Sequence, residues 1–274
     1  MASSSGTRQA GGTTTLERDS RGRVTSVLDP DGKTVTYEYD EASQLVAATG
    51  TTASTWTYDR SGRMIEERSA SGDTSYLHDP AGALLQAERR GDGTAVVRFE
   101  YDGSGRRVLA ATDDGTTTYE WDELGQLRAV VREDGAGVKR FDLWVNALGE
   151  LAEVDGTTFC WDPTAPVPTL LSIGEVPIVS APGMLGVDGI WATSGWRQAR
   201  SAQMQDPWSS ADVATSPSLP DGIGVSPTGT VMVAGLELSG ARAYDPSARA
   251  FLSPDPLPPG GRCGLGRQPV RLRW

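Results

Sequence analysis

Residues 34–45 read TVTYEYDEASQL and residues 54–64 read STWTYDRSGRM. In both, apolar or aromatic residues alternate with polar ones up to an aromatic, which is the period of a half-buried β-strand. An Asp follows the aromatic: Tyr39-Asp40 and Tyr58-Asp59. An Asp side chain folds onto backbone N–H groups ahead of it and starts a turn. Gly62 then supplies a positive φ, and Leu45 or Met64 begins the next strand.

The same unit recurs. Tyr101-Asp102 with Gly105 opens YDGSGRRV, and Trp121-Asp122 with Gly125 opens WDELGQL. Looser copies are RDSRGRV from Arg18, HDPAGAL from His78 and VNALGEL from Val145, and Trp161-Asp162-Pro163 is a decayed one. Asp19, Asp40, Asp59, Asp79, Asp102 and Asp122 lie 19 to 23 residues apart. Between copies come DPDGK from Asp29, GDGT from Gly91, DDGT from Asp113 and EDGAG from Glu133. Asp-Gly pairs like these suit hairpin turns. Each unit is therefore two strands and two turns, and the chained units predict an antiparallel ribbon over residues 16–163.

Composition agrees with many turns and short strands. The 274 residues include 33 Gly and 17 Pro, and 38% are hydrophobic. A net charge of −11 repels nucleic-acid phosphates and anionic lipid heads. No stretch has the roughly 20 apolar residues of a membrane span, and MASSSGTRQAGGTTT lacks a signal-peptide apolar core. Cys160 and Cys263 make no disulfide framework. Calcium loops gather several carboxylates within one loop, whereas here they come one per repeat, so neither a metal nor a cofactor is expected. His78, the only histidine, stands at a repeat's aromatic position, which argues against a histidine-based nucleophilic mechanism.

The YD…G.L repeat resembles the Rhs/YD-repeat proteins of bacteria, which include the C component of Tc toxins and the cores of polymorphic toxins. The resemblance implies an all-β fold, a curved, shell-like sheet of antiparallel hairpins that is a fragment of a β-cocoon. It implies a structural function, walling in a C-terminal toxin domain that this chain lacks. The partners it implies are that toxin domain, the rest of the shell and, in a full-length parent, an immunity protein or secretion apparatus. In the family that places the protein outside the cell or on its surface.

Beyond Asp162 the texture changes. The stretch PTAPVPTLLSIGEVPIVSAPG reads as irregular strands, and Trp191, Trp196 and Trp208 read as packing residues. Residues 235–257, GLELSGARAYDPSARAFLSPDPL, are similar to the boundary signature that ends an Rhs core. Ala248 and Ala250 depart from it, standing where the family favours Gly and Arg or Gly. That boundary is associated with aspartyl-type self-cleavage. Two carboxylates sharing a proton can activate water, which makes Asp245 and Asp255, tuned by Arg242, the candidate catalytic residues. Their plainer role is to start turns as Asp-Pro pairs.

The last residues, GGRCGLGRQPVRLRW, carry four Arg and no acid. Shifted by one base, a permitted codon set for them spells a segment similar to the NPYAYAGN-like continuation of the family. The expected organisation is a disordered segment at 1–15, the YD sheet at 16–163, an irregular β/loop region at 164–234, the boundary motif at 235–257 and an unstructured, out-of-frame tail at 258–274. Three functions follow: a shell segment, a self-cleaving core end, or a surface module that binds carbohydrate through exposed aromatics.

Overall fold

In the computed structural model the described residues are 3–254, apart from 10–11, 30, 92, 165–168, 182–183, 188–189, 192–218, 226–229 and 241. Every regular element among them is a strand. Each repeat contributes a strand that ends on its aromatic, such as Thr34–Tyr39 or Ala53–Tyr58, and one that begins on its aliphatic, such as Leu45–Thr49 or Met64–Ser69. Consecutive strands pair antiparallel throughout, giving a 20-stranded meander from Ser3–Gln9 to Ile190–Trp191. A second sheet of five strands runs from Ile223–Val225 to Ala250–Phe251.

Simple alternation places residues two apart on one face, but the strand after each turn departs from it. Tyr39 pairs with Leu45 while Glu38 pairs with Ala47, so Val46 is an extra residue, and a bulge recurs in the same place at Tyr58/Met64, Trp121/Leu127 and Val145/Leu151. The bulge shifts the inward set by one residue. Residues five and eight after the Asp therefore both face the core: Val24 and Val27, Leu45 and Ala48, Leu84 and Ala87, Leu127 and Val130, Leu151 and Val154, all buried. The opposite face is solvated, as in Thr34, Thr36 and Glu38.

Three clusters form the core. Val24, Val27, Val35, Tyr37, Leu45, Ala48 and Trp56 make the first, from repeat residues alone. Tyr76, Leu84, Ala87 and Phe99 make the second together with Ala248. The third joins Leu127, Val130, Phe141, Leu151 and Phe159 to Ile223, Val231, Val233 and Leu236 of the small sheet and to Leu252 just after its last strand. The boundary motif is thus packed on the inward face of the later repeats.

The structure redraws several sequence boundaries. The start of the chain, expected to be disordered to residue 15, is a hairpin of Ser3–Gln9 and Gly12–Arg18. Its Thr-rich stretch favours strands, and the exposed edge of Val24–Leu28 offers it a ladder. In the region expected to be irregular, Thr169–Ile173, Val176–Ala181, Met184–Val187 and Ile190–Trp191 continue the meander. The small sheet also begins there, at Ile223, twelve residues before the expected motif boundary at 235. Trp196, Trp208 and the tail 258–274 lie outside the described residues.

Neighbouring hairpins approach most closely where a glycine starts a strand. Gly72 has φ +126°, and a Cβ there would sit 2.5 Å from the Arg90 carbonyl oxygen. We expect Gly72→Ala to destabilise the protein by about 2 kcal/mol or more, whereas Gly93→Ala, with nothing within 4 Å, changes it by less than about 0.5 kcal/mol. Urea unfolding of the two variants measures both.

Candidate functional site

Two sets of chemistry-bearing residues stand out, the repeated Asp and aromatic positions and the boundary motif. The Asp residues are turn residues. The Asp59 Oδ1 accepts the amides of Ser61 and Arg63, at 2.8 and 3.0 Å, while the Gly62 amide donates to the Asp59 carbonyl oxygen. Gly62 takes φ +80° to close this loop. The pattern repeats at Asp19, Asp102 and Asp122, and Asn146 does the same work through its Oδ1. Asp40 accepts the Gln44 amide and Asp79 that of Ala83. DPDGK is the hairpin turn its Asp-Gly suggested, joining the paired strands Val24–Leu28 and Thr34–Tyr39, and Asp29 closes it in the repeat-turn manner by accepting the amides of Asp31 and Lys33.

Where Arg follows the glycine it ties one turn to the next. Arg63 Nε donates to Asp59 Oδ2 at 2.6 Å and its Nη1 to the Asp79 carbonyl oxygen at 2.7 Å. Arg106 bridges Asp102 and Asp122 in the same way. The Arg63 amide and guanidinium hold the Asp59 carboxyl down at about 2. Burial works against Asp19 and Asp102, yet Arg23 and Arg106 more than offset it, so both stay below the ordinary value.

The aromatics complete the spine. The Tyr39 hydroxyl donates to the Val24 carbonyl oxygen at 2.8 Å and that of Tyr58 to the Leu45 oxygen at 2.7 Å. Trp121 Nε1 reaches the Arg107 oxygen at 2.7 Å and Trp161 Nε1 the Leu151 oxygen at 2.6 Å. Each aromatic thus grips the residue that began the strand after the preceding turn, which is why the position takes Tyr or Trp, rings with a donor at the far end. His78 breaks the series: its buried Nδ1 has no hydrogen-bond partner. Burial, then the Arg63 charge, pushes its pKa down.

The boundary motif meets this sheet through charges. Asp245 is buried at the end of the strand Arg242–Asp245. Its Oδ2 accepts Arg107 Nη1 at 2.8 Å, and its Oδ1 accepts the Ser247 amide, the Ser247 hydroxyl and the Ala248 amide. Arg107 is wholly buried, with its guanidinium 4.1 Å from the Phe99 ring centre. Burial depresses its pKa, but Tyr101, Asp245 and Tyr119 outweigh that and raise it. The Arg107 amide also donates to the Leu252 oxygen at 2.7 Å, and a Cβ on Gly105 would touch Pro254 at 3.2 Å. Four residues beyond Asp245, Arg249 makes a fork to buried Glu67: Nε to Oε2 at 3.0 Å and Nη2 to Oε1 at 2.8 Å. Tyr76 donates to the same Oε2 at 3.0 Å. Removing one partner from such a buried pair costs about 3–5 kcal/mol.

Of the three candidate catalytic residues, Asp245 and Arg242 share a strand but not a face, since residues three apart on a strand point oppositely. The Arg242 guanidinium lies 3.7 Å from the Phe251 ring centre, and Asp245 turns instead to Arg107. Asp255 lies outside the described residues. Arg107 was the partner sequence reasoning missed, and the signal was visible: it stands five residues after Asp102, where the other repeats carry Val24, Leu45, Met64, Leu84, Leu127 and Leu151. Among the described residues no group of three His, Cys, Asp or Glu could hold a metal, and no helix is long and apolar enough to cross a membrane.

Residues 18–55, which include the repeat turns at Asp19 and Asp40, match the RHS Repeat family. No protein of curated function matches the chain. Among solved structures, TcdB2-TccC3 is similar at 12% identity over 90% of this chain and 21% of that one, with a TM-score of 0.39. TcdB2-TccC3-TEV is similar at 13% identity over 90% and 20%, with a TM-score of 0.37. A Photorhabdus luminescens Tc holotoxin pore is similar at 13% identity over 93% and 20%, with a TM-score of 0.32. The chain spans about a fifth of the length of these structures. Identification of the repeat rests on the sequence match and on the turns that extend it through Asn146.

Two outcomes are expected. Since Asn146 shows that an amide can close the turn, Asp59→Asn isolates the charge. A depressed carboxyl stabilises the fold above its ordinary pKa near 4 and ceases to do so as pH falls towards 2. The unfolding midpoint therefore drops between about pH 4 and pH 2, and drops less in Asp59→Asn; acid titrations followed by circular dichroism show this. Tyr58→Phe loses about 1 kcal/mol with its hydrogen bond, and His78→Tyr gains about as much by restoring the missing one, both read by urea unfolding.

Proposed function

We propose that this chain, which carries RHS repeats, is a structural wall segment of a larger repeat shell and is not an enzyme. The observation that carries the reading is what the eye-catching residues are engaged in. The repeat carboxylates close turns, and the tyrosine and tryptophan donors of the spine hold the previous strand. The one described candidate for acid–base work, Asp245, accepts four hydrogen bonds, one of them from a buried guanidinium. A carboxylate so saturated and paired suits structure better than water activation.

The family resemblance extends this reading to a shell that encloses a toxin domain following the boundary motif, with an immunity protein or secretion apparatus as further partners of a full-length parent. Carbohydrate binding has less to support it, since the spine aromatics have their polar ends turned to the backbone.

Intact-mass measurement on the purified chain tests the reading. It predicts a single species at 29.0 kDa. A product cut between residues 245 and 260, present in the wild type and lost in Asp245→Asn or Asp255→Asn, would contradict it.

A further inference from the structure

The inward positions of the repeats, five and eight residues after each Asp, form two rows. One holds Val24, Leu45, Met64, Leu84, Arg107, Leu127 and Leu151. The other holds Val27, Ala48, Glu67, Ala87, Ala110, Val130 and Val154. Twelve of these fourteen positions are apolar, and the two exceptions are charges of opposite sign. Arg107 is wholly buried and Glu67 is 6% exposed. Both are met by the boundary motif, Arg107 by Asp245 and Glu67 by Arg249, within one five-residue stretch, Asp-Pro-Ser-Ala-Arg.

A repetitive sheet presents nearly the same apolar surface at every repeat. The apolar residues that the motif brings to it, Ala248 and Leu252 among them, would find a similar bed one repeat earlier or later. Moved one repeat, Asp245 would face Leu84 or Leu127, and Arg249 would face Ala48 or Ala87. Either shift buries four charges without their countercharges, which is strongly unfavourable, whereas the observed seating pairs all four. We infer that Arg107 and Glu67 are an address: a cation and an anion built into otherwise apolar rows, which select the one register at which the Asp245-to-Arg249 stretch docks on the sheet. Their role is specificity by exclusion of the neighbouring registers rather than added adhesion. Arg249 supports this by holding φ +55°, a conformation unusual for a residue with a side chain, which aims its guanidinium at Glu67. Arg132, donating to the Ala234 carbonyl oxygen, and Lys139, paired with exposed Asp221, reach the small sheet near its start. Those two bonds go to Ala234 and Asp221, outside the Asp245-to-Arg249 stretch.

Two measurements on the full chain test the address. Hydrogen exchange of the amides in residues 236–251 reads the seating. Glu67→Arg sets two cations together and raises exchange at least tenfold, and the double reversal Glu67→Arg with Arg249→Glu restores protection to within threefold of the wild type. A double reversal no better protected than the single one overturns the inference. The second variant removes every charge: Glu67→Ala and Arg107→Leu install the residues of other repeats, Asp245→Asn keeps the turn acceptor, and Arg249→Asn tolerates the positive φ. Spin labels at exposed Leu77 and Asp221 then report distance. The wild type gives one distance, and the uncharged variant gains a second population displaced by about 10 Å, the width of two strands. A single unchanged distance in that variant overturns the inference, even if the reversal variants do not fold.

Discussion

The architecture depends on one oxygen atom per repeat. An Asp Oδ1 that accepts the amides two and four residues ahead closes a tight turn, and it does so at Asp19, Asp59, Asp102 and Asp122 with hydrogen bonds of 2.8–3.0 Å. The turn sets the bulge, the bulge sets which residues point inward, and the inward rows set the core. Because the turn uses only backbone donors, one acceptor and a positive φ at its fourth residue, its remaining residues vary, which accounts for loops as different as DRSGR at 59–63 and DELGQ at 122–126. The tyrosine or tryptophan before the turn, where a repeat has one, reaches back with its polar tip to the preceding repeat, and arginines such as Arg63 and Arg106 tie one turn to the next, so the units share more than their strand ladders.

The turn and the strand periods were legible in the residues, since Asp, Gly and an aromatic at fixed spacing each have a local physical reason. The bulge was not. Alternation alone puts Val46 or Ala47 in question as the next inward residue, and only the pairing of Glu38 with Ala47 shows that Ala48 is the one buried. The role of Asp29 was not legible either: its Asp-Gly pair announces the hairpin, but only the structure shows the carboxylate capturing the amides of Asp31 and Lys33 as the repeat turns do. At the start of the chain, composition favoured disorder, but an open strand edge supplies hydrogen-bond partners that composition does not reveal.

The candidate site shows the limit more sharply. Sequence proximity joined Asp245 to Arg242, which lie three residues apart on one strand and so face opposite ways. The true partner, Arg107, is 138 residues away. It was nonetheless marked, as the one cation in a row of aliphatics, just as Glu67 is the one anion in its own row. In a repeat protein the informative residue is the one that breaks the pattern where the pattern is buried, because a charge there is tolerated only if something far off in the sequence answers it.

A wall held together by its own conspicuous residues should be protected along its turns without any ligand. Residue-resolved hydrogen exchange on the unliganded chain measures this directly. The account predicts that the amides bonded to the repeat carboxylates, those of Ser61, Arg63, Ser104, Arg106, Leu124 and Gln126, are protected as a group alongside the strand ladders. Exchange of those amides at the rate of open loops, with protection appearing only when a metal or a glycan is added, would contradict it.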